Sequence, residues 1–494
     1  MKSLTIISDS PDQIGDSGTS STRSACSSAI HAAPDAPHLG SFGGTAAVVT
    51  LGCAKNHVDS EVMLGSLGQA GFEIVSDLAE ADVVIVNTCG FLESAVRESI
   101  DAVLEAAEFK EKGRLRRLIV AGCAVERYRD ELVESLPEVD AFVLTSELLS
   151  VGAVARGEGM ERALRDAGRP YFLYDETMPR RLASAPHTAY VKVAEGCNRP
   201  CTFCIIPRIR GEMRSRPISS IVGEVRMLAV QGVREVNLVA QDLTSFGTDA
   251  EPRTNLTALL RALDAERVMP WIRLLYAYPI GIDSELLRAI AELPSICEYL
   301  DLPLQHASEA VLRRMKRPVG SFATRPIVER IRATAPELAL RTTFIVGFPG
   351  ETEEDISELE RFVGEGHFSS VGVFTYSRER GTPSHDYDGQ VPEKVKNERR
   401  QRIMEAQQGV VAARLGHFVG QRLPVLLEGA HHDTDLLLTG RARWQAPEVD
   451  GTVIINDIEG AEGDEVDGSR LLPGNIVTVE VSEVVGYDLV GRVV

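Results

Sequence analysis

The sequence predicts an α/β protein with three folded regions: an N-terminal open parallel α/β sheet, a central partial (β/α)6 barrel and a small C-terminal antiparallel β-barrel. Short apolar runs alternate with helical patterns in two separate stretches. The second stretch contains six such units, fewer than the eight that close a full barrel. The C-terminal residues form β-rich runs between Gly, Pro and Asp turns. A chain of 494 residues also exceeds what one hydrophobic core usually serves.

Residues 1–44 are expected to form a disordered N-terminal extension. They contain ten serines and show neither the period of a strand nor that of a helix. Cys26 lies in this segment, and we interpret it as a free thiol without a function.

Residues 45–160 are expected to form the first domain. Its strands are predicted at 46–51, 82–86, 117–121 and 141–144, with crossover helices between them. A polar linker is predicted at 161–184.

Residues 185–415 are predicted to form the partial barrel and a long charged helix at 392–415. Six strands are expected, at 189–193, 235–240, 271–276, 298–303, 341–346 and 371–376. Residues 416–494 form the predicted small barrel, with strands at 423–427, 451–455 and 475–481.

Composition excludes several classes of protein. The formal net charge is −20 and no basic stripe occurs, so stable nucleic-acid binding is not expected. No apolar run is long enough to span a bilayer, and the Ser-rich head lacks the apolar core of a secretory signal. We therefore expect a cytoplasmic protein. Eight cysteines are too few for a disulfide scaffold in a chain of this length, which points to metal ligation or redox chemistry.

Three cysteines with spacings of three and two residues follow the first barrel strand: Cys197, Cys201 and Cys204. A tight loop with this spacing presents three thiolates to a cubane iron-sulfur cluster. Structural zinc is the rival interpretation, but it usually takes four ligands, and no fourth Cys or His lies nearby in the sequence. Three thiolates leave one iron open, where S-adenosylmethionine (SAM) can bind and be cleaved to a carbon radical.

A second set of cysteines lies in the first domain, where Cys53, Cys89 and Cys123 each follow a predicted strand. Ligands bind at the carboxyl edge of an open α/β sheet, so these residues can converge on a second cluster. The alternative is that they are buried cysteines that pack as small apolar side chains. Two clusters with an open iron imply two tasks, radical generation and sulfur delivery. Cys297 begins a barrel strand without a partner, and ordinary packing explains it.

Five residues at predicted strand ends are candidates for SAM contacts. Gly347 and Gly350 leave a strand and enter a helix, where they would let the backbone approach a ligand closely. Such turns also occur without any ligand. The full set is Gln241, Asp242, Arg341, Gly347 and Gly350.

From about residue 46 to the C-terminus, the chain resembles the methylthiotransferase family of radical SAM enzymes. It has that family's three-cysteine domain, radical core and terminal TRAM module, in that order. Three segments resemble the branch that modifies ribosomal protein S-twelve. They are Gly196-Cys-Asn-Arg-Pro-Cys-Thr-Phe-Cys-Ile-Ile-Pro, Asp301-Leu-Pro-Leu-Gln-His-Ala-Ser and Met315-Lys-Arg-Pro. The tRNA-modifying branch typically has Ser-Gly where this chain has His306-Ala307.

The resemblance implies two 4Fe-4S clusters, a SAM-cleaving one at Cys197, Cys201 and Cys204 and an auxiliary one at Cys53, Cys89 and Cys123. It also implies a product, a methylthio group on the β-carbon of an aspartate of S-twelve. One SAM supplies the methyl group, and another supplies the 5'-deoxyadenosyl radical. A reductant protein and a sulfur donor are the other expected partners. No side chain is assigned as a catalytic acid or base.

Two other functions stay open at this point. One is a methylthiotransferase for an adenosine of tRNA, and the other is an electron carrier or ribosome assembly protein without turnover. From His417 onward the chain has 14 acidic residues against five arginines and no lysine. Such a surface would repel a phosphate backbone and attract a basic ribosomal protein, although acidity can also serve solubility.

Overall fold

The computed structural model describes residues 43–158, 172–458 and 471–494. Contacts divide these residues into two units. The first contains 43–158, 172 and 177–183, and the second contains 173–176, 184–458 and 471–494. Residues 1–42 of the predicted disordered head, with Cys26, and the first part of the predicted linker, 161–171, lie outside the described residues. None of the described helices is both long enough and apolar enough to cross a membrane.

The first unit is built on a five-stranded parallel sheet with the order β2-β1-β3-β4-β5. Its four longer strands confirm the four predicted ones, whereas the two-residue β2 is too short for a sequence pattern to reveal. The strands are β1 (Thr45–Thr50), β2 (Glu73–Ile74), β3 (Val83–Thr88), β4 (Arg117–Gly122) and β5 (Ala141–Val143). The helices are α1 (Ala54–Gln69), α2 (Glu93–Ala107), α3 (Phe109–Lys112), α4 (Cys123–Ser135) and α5 (Val151–Arg156).

Both faces of this sheet are buried. In β3, Val83 and Ile85 belong to one apolar cluster, and the alternating residues Val84 and Val86 belong to the other. A strand that is covered on both faces has a continuous run of apolar residues, and these runs are what predicted the strands from the sequence.

The second unit begins with an open sheet of six parallel strands in the order β13-β12-β11-β10-β9-β6, which confirms the partial barrel. Its strands are β6 (Thr188–Lys192), β9 (Glu235–Val239), β10 (Trp271–Leu274), β11 (Ile296–Asp301), β12 (Ala339–Val346) and β13 (Ser370–Thr375). A separate antiparallel pair joins β7 (Ala194–Glu195) to β8 (Arg214–Ser215). The helices are α6 (Ile206–Arg210), α7 (Ile218–Val230), α8 (Leu256–Glu266), α9 (Ser284–Glu292), α10 (Glu309–Arg314), α11 (Thr324–Thr334), α12 (Glu353–Gly364) and α13 (Glu393–Gly416).

The C-terminal strands close into a barrel with the order β14-β15-β16-β18-β17. Four of its pairings are antiparallel, and the pairing of β16 with β18 is parallel. The strands are β14 (Arg422–His431), β15 (Thr434–Ala442), β16 (Val453–Ile458), β17 (Ile476–Val485) and β18 (Asp488–Val493).

A buried ionic triad joins this small barrel to the six-stranded sheet. Glu235, the first residue of β9, lies 2.9 Å from Arg273 and accepts hydrogen bonds from Arg441 of β15. Burial alone would raise the pKa of Glu235, but the two arginines outweigh it and hold the pKa at about 2. Because this pKa lies below the usual 4.5, the stabilisation is present above pH 4.5 and is lost as the pH falls toward 2.

Substitution of this carboxylate should destabilise the second unit strongly. Glu235→Gln leaves two buried guanidinium groups without a counter-charge, so we expect the free energy of unfolding to fall by about 3–5 kcal/mol in urea titrations. The control is Glu266→Gln, which breaks an exposed pair with Arg226 and should cost less than about 1 kcal/mol. Equal losses of unfolding free energy in the two variants would contradict the role of Glu235 as the counter-charge of two buried arginines.

Candidate iron-sulfur sites

In the first unit, three neighbouring parallel strands end at cysteines. Cys53, Cys89 and Cys123 follow β1, β3 and β4, which lie side by side with β3 in the middle. Because the strands are parallel, their carboxyl ends share one edge of the sheet. The structure therefore brings these three predicted residues to the same edge.

Asn56, in the first turn of α1, joins the three strand ends. Its side-chain amide donates to the carbonyl oxygens of Leu51, at 2.9 Å, and Thr88, at 3.0 Å. Its Oδ1 lies 3.4 Å from Cys123 Sγ, where it accepts from the thiol. Asn56 is 1% exposed, so these partners replace water for a buried amide.

Two glycines allow the strand ends to approach each other. Gly52 has a φ of +99°, and a Cβ atom at this position would lie 3.3 Å from Cys89 Sγ. A Cβ at Gly90 would lie only 2.4 Å from the carbonyl oxygen of Cys123. Larger residues would push the three cysteine loops apart.

Two cysteines of the first set lie at the N-termini of helices. Cys53 precedes α1 and Cys123 begins α4, so helix N-termini favour their thiolates. Within the described ranges, the one group of three candidate metal ligands whose ligand atoms lie within 4.8 Å of each other is His431, His432 and Asp433, on a barrel hairpin.

The second set lies in a loop that β7 and β8 hold at its base. The backbone N–H of Cys197 donates to Gly211, at 3.1 Å, and that of Cys204 donates to Cys201, at 3.2 Å. At Gly196, where φ is +84°, a Cβ would lie 2.0 Å from the carbonyl oxygen of Glu212. The fold of this loop therefore requires a glycine at position 196.

Cys197 is buried, whereas Cys201 and Cys204 are partly exposed. Burial raises the pKa of Cys197 to about 11 and that of Cys204 to about 12. Donors nevertheless point at the sulfurs. The N–H of Arg199 lies 3.4 Å from Cys197 Sγ, and the Arg317 guanidinium lies 3.8 Å from Cys201 Sγ. Iron binding would displace the thiol protons, which couples cluster assembly to proton release.

An aromatic ring separates the two arginines of this site. Tyr278 stacks between the guanidinium groups of Arg199 and Arg317, each 4.1 Å from its ring centre. Arg199 also forms an ion pair with Asp242, at 2.6 Å. Asp242, one of the predicted SAM residues, thus orients the arginine of the cysteine loop.

Gln241 lies beside a buried carboxylate. Its amide donates to Glu195, which also pairs with Lys192, at 2.5 Å, and Arg210, at 3.4 Å. Burial opposes ionisation of Glu195, but the two cations hold its pKa at about 2. The Oε1 atom of Gln241 is buried and has no hydrogen-bond partner among the described residues, so it is available to a ligand.

The other predicted SAM residues have partners within the protein. Arg341 of β12 pairs with Asp301, at 2.8 Å. A Cβ at Gly347 would lie 2.3 Å from Lys396 Cγ, and one at Gly350 would lie 2.9 Å from the guanidinium of Arg314. Packing alone therefore accounts for both glycines, and the SAM contacts stay a prediction.

His306, which the sequence marked as a branch residue, is fully buried. Its Nδ1 accepts from the N–H of Ser308, at 3.0 Å, and its Nε2 lies 3.4 Å from Glu351. Glu351 in turn accepts from the N–H of Gly347, at 2.7 Å. His306 thus supports the turn after β12. Sequence reasoning missed Asn56 and Tyr278, and it noted Arg317 only as part of a family segment, because no spacing connects these residues to the cysteines they approach.

Three family models match this chain, one for each of its three folded regions. Residues 45–144 match Uncharacterized protein family UPF0004, residues 191–363 match the Radical SAM superfamily, and residues 419–494 match the TRAM domain. The six-stranded sheet with three cysteines in its first loop defines a radical SAM enzyme, a class that uses a 4Fe-4S cluster and SAM.

Two curated relatives cover nearly the whole chain. Ribosomal protein uS12 methylthiotransferase RimO of Anaeromyxobacter sp. (strain K) is 48% identical over 90% of this chain and 92% of its own length. The RimO of Syntrophotalea carbinolica is 46% identical over 90% of this chain and 96% of its own. The chain belongs to this RimO family of radical SAM methylthiotransferases.

A solved structure supports the fold. The radical S-adenosylmethionine methyltransferase TsrM from Kitasatospora setae, with cobalamin and a [4Fe-4S] cluster bound, aligns with a TM-score of 0.51 and 16% identity. The alignment covers 70% of this chain and 74% of TsrM. At this identity the likeness concerns the fold alone.

Removal of the Asn56 side chain should loosen the three strand ends. We expect Asn56→Ala to make local opening more favourable by about 1–2 kcal/mol, or 5- to 30-fold, because buried hydrogen bonds are lost. The measurement is the alkylation rate of Cys123 in the cluster-free chain, followed by mass spectrometry. Asn255→Ala, which removes a cap from α8, is the matched control and should leave this rate unchanged. An equal rise in both variants would contradict the role of Asn56.

Proposed function

We propose that this chain is a methylthiotransferase that modifies ribosomal protein uS12 at the β-carbon of an aspartate. The observation that carries the proposal is the meeting of Cys53, Cys89 and Cys123 at one sheet edge, in addition to the cysteine loop of the six-stranded sheet. A radical SAM enzyme needs only one set of three thiols to cleave SAM. The second set has its own fold and its own supporting side chain, Asn56, which supports a separate task in sulfur delivery.

The loop of the second unit would hold the cluster that cleaves SAM. Cys197, Cys201 and Cys204 would bind three of its irons, and the fourth would be open to SAM. When bound, this cluster supplies the electron that breaks a carbon-sulfur bond of SAM. Gln241 offers a buried acceptor at the same edge of the sheet, and Glu195 fixes its orientation.

The strand ends of the first unit would hold an auxiliary cluster, bound by Cys53, Cys89 and Cys123. Helix N-termini at two of these cysteines favour the thiolate form that binds iron. The protein's contribution is to hold the target carbon and the sulfur in fixed positions away from water. The sulfur itself would come from an external donor, and the electron would come from a reductant protein.

Charge supports a basic protein as the substrate. The C-terminal barrel region has nine more acidic than basic residues, which attracts a Lys/Arg-rich partner and disfavours RNA. Since uS12 is made and assembled with the ribosome, we place this activity in the cytoplasm. An adenosine of tRNA is the alternative substrate.

Mutation of the two cysteine sets should affect two different steps of the reaction. We expect Cys201→Ala to abolish 5'-deoxyadenosine formation from SAM and reductant, because the cluster that cleaves SAM loses a ligand. We expect Cys89→Ala to retain some cleavage but to stop sulfur insertion. The measurement is liquid chromatography of 5'-deoxyadenosine together with the mass of uS12. Cys297→Ala is the control, since this buried cysteine is assigned to packing alone. Equal loss of cleavage in both cluster variants would contradict this division.

The substrate is tested in a deletion strain. We expect uS12 from this strain to lack one methylthio group that the parent strain carries, and tRNA to be unchanged. Loss of the methylthio mass from tRNA alone would instead favour the alternative substrate. Absence of 5'-deoxyadenosine from a fully reconstituted, reduced sample would support a carrier without turnover.

A further inference from the structure

The hairpin between β14 and β15 carries three consecutive metal-ligating side chains at its tip. β14 ends at His431 and β15 begins at Thr434, and these two residues pair across the ladder. His432 and Asp433 therefore form the two-residue connection. We call His431, His432 and Asp433 the hairpin-tip triad.

The ligand atoms of the triad converge. Oδ2 of Asp433 lies 3.1 Å from Nε2 of His432 and 4.0 Å from Nδ1 of His431. One ligand atom from each of the three residues lies within 4.8 Å of the other two. Ligands of a tetrahedral zinc ion are roughly 3.3 Å apart, since each bond is about 2.0 Å long. Small side-chain rotations would therefore close the triad on one ion.

The backbone brings the two imidazoles to the same side of the hairpin. Successive residues of a strand normally point to opposite faces. Here the register of β14 with β15 shifts between Ala430 and His431, and the ring centres of His431 and His432 lie only 4.4 Å apart. Because the ladder holds both ends of the segment, metal binding requires little further ordering.

His431 already presents a lone pair toward Asp433. Its Nδ1 accepts a hydrogen bond from the N–H of Asp433, at 3.2 Å. An imidazole nitrogen that accepts a hydrogen bond carries no proton, and this is the form that binds a metal ion. Coordination would replace this hydrogen bond by a bond to the ion.

The triad differs from the other contacts between histidine and a carboxylate. In the described part of the chain those contacts contain one imidazole each, and they are His57 with Glu61, His306 with Glu351, His367 with Glu365 and His385 with Asp386. An ordinary ion pair needs one imidazole, and the hairpin tip supplies two. Across the described ranges, no other trio of His, Cys, Asp and Glu brings its ligand atoms this close together.

Neither turn chemistry nor packing explains His432. Asn, Asp and Gly predominate in two-residue hairpin connections, so Asp433 fits such a turn and His432 does not. The side chains of His432 and Asp433 are 76% and 72% exposed, which excludes a role in the barrel core. A shared ligand accounts for both side chains and for the imidazole beside them.

We propose that the hairpin-tip triad binds a divalent transition-metal ion of the zinc type. The site goes beyond the proposed function, because it lies on the terminal barrel and shares no residue with either cysteine set. Two imidazole nitrogens and one carboxylate oxygen suit zinc, cobalt, nickel or copper, whereas calcium and magnesium prefer sites made of oxygen atoms. Three protein ligands leave at least one position of the ion to water or to an outside ligand.

The test uses the full chain with both clusters reconstituted, so that the cysteines are occupied, and zinc sulfate as the probe. Diethyl pyrocarbonate modifies accessible imidazoles, and mass spectrometry with peptide fragmentation measures its reaction at His432. His385, which contacts Asp386 without a second imidazole, is the internal reference. The measurement requires neither SAM nor uS12, so its result is independent of the proposed function.

We expect zinc at about ten times its Kd to slow the modification of His432 about 10-fold, since only the metal-free fraction reacts. His385 should react at the same rate with and without zinc, and magnesium at the same concentration should protect neither residue.

A second measurement is the zinc retained after equilibrium dialysis. The parent chain should retain about one more zinc ion than His432→Ala, a substitution of an exposed side chain, and His385→Ala should retain as much as the parent. Equal retention by the parent and His432→Ala would overturn the proposal. So would equal reaction of His432 with and without zinc, equal protection of His385, or equal protection by magnesium.

Discussion

The proposed function of this protein depends on the close approach of three parallel strand ends. A parallel sheet places the carboxyl ends of β1, β3 and β4 at one edge, but a cluster requires their cysteines within a few ångströms of each other. Gly52 and Gly90 provide the space, and Asn56 ties the backbones together. Strand order, two glycines and one buried amide thus help to bring to one edge residues that lie 36 and 34 positions apart in sequence.

Buried ion pairs give the second unit its rigidity where the chemistry requires it. Glu195 is held by Lys192 and Arg210 at the edge that carries the cysteine loop, and Glu235 is held by two arginines at the opposite end of the strands. Both carboxylates stay ionised despite burial, because their partners outweigh desolvation. The terminal barrel is therefore fixed at the edge away from the cysteines, where it leaves their loop open.

Much of the fold was predictable from the sequence, and the reason is physical. The inner strands of both parallel sheets, such as β3, β4, β9 and β10, are buried on both faces, so they stand out as short apolar runs from the helices around them. Residues that act through tertiary contact carried no such signal. Tyr278 and Arg317 reach the cysteine loop from distant parts of the chain, and Asn56 is an ordinary helical residue until three strand ends surround it. The glycines after β12 matched a ligand-binding pattern, yet side chains of the protein fill the space beside them.

The central claim is that the chain holds two separate cubane clusters, one for each set of three thiols. Iron and acid-labile sulfide, quantified after anaerobic reconstitution, test it most directly. The parent chain should bind about eight irons, and a variant with alanine at positions 53, 89 and 123 should bind about four. Retention of all the iron by that variant, or a parent chain with only four irons, would contradict the account.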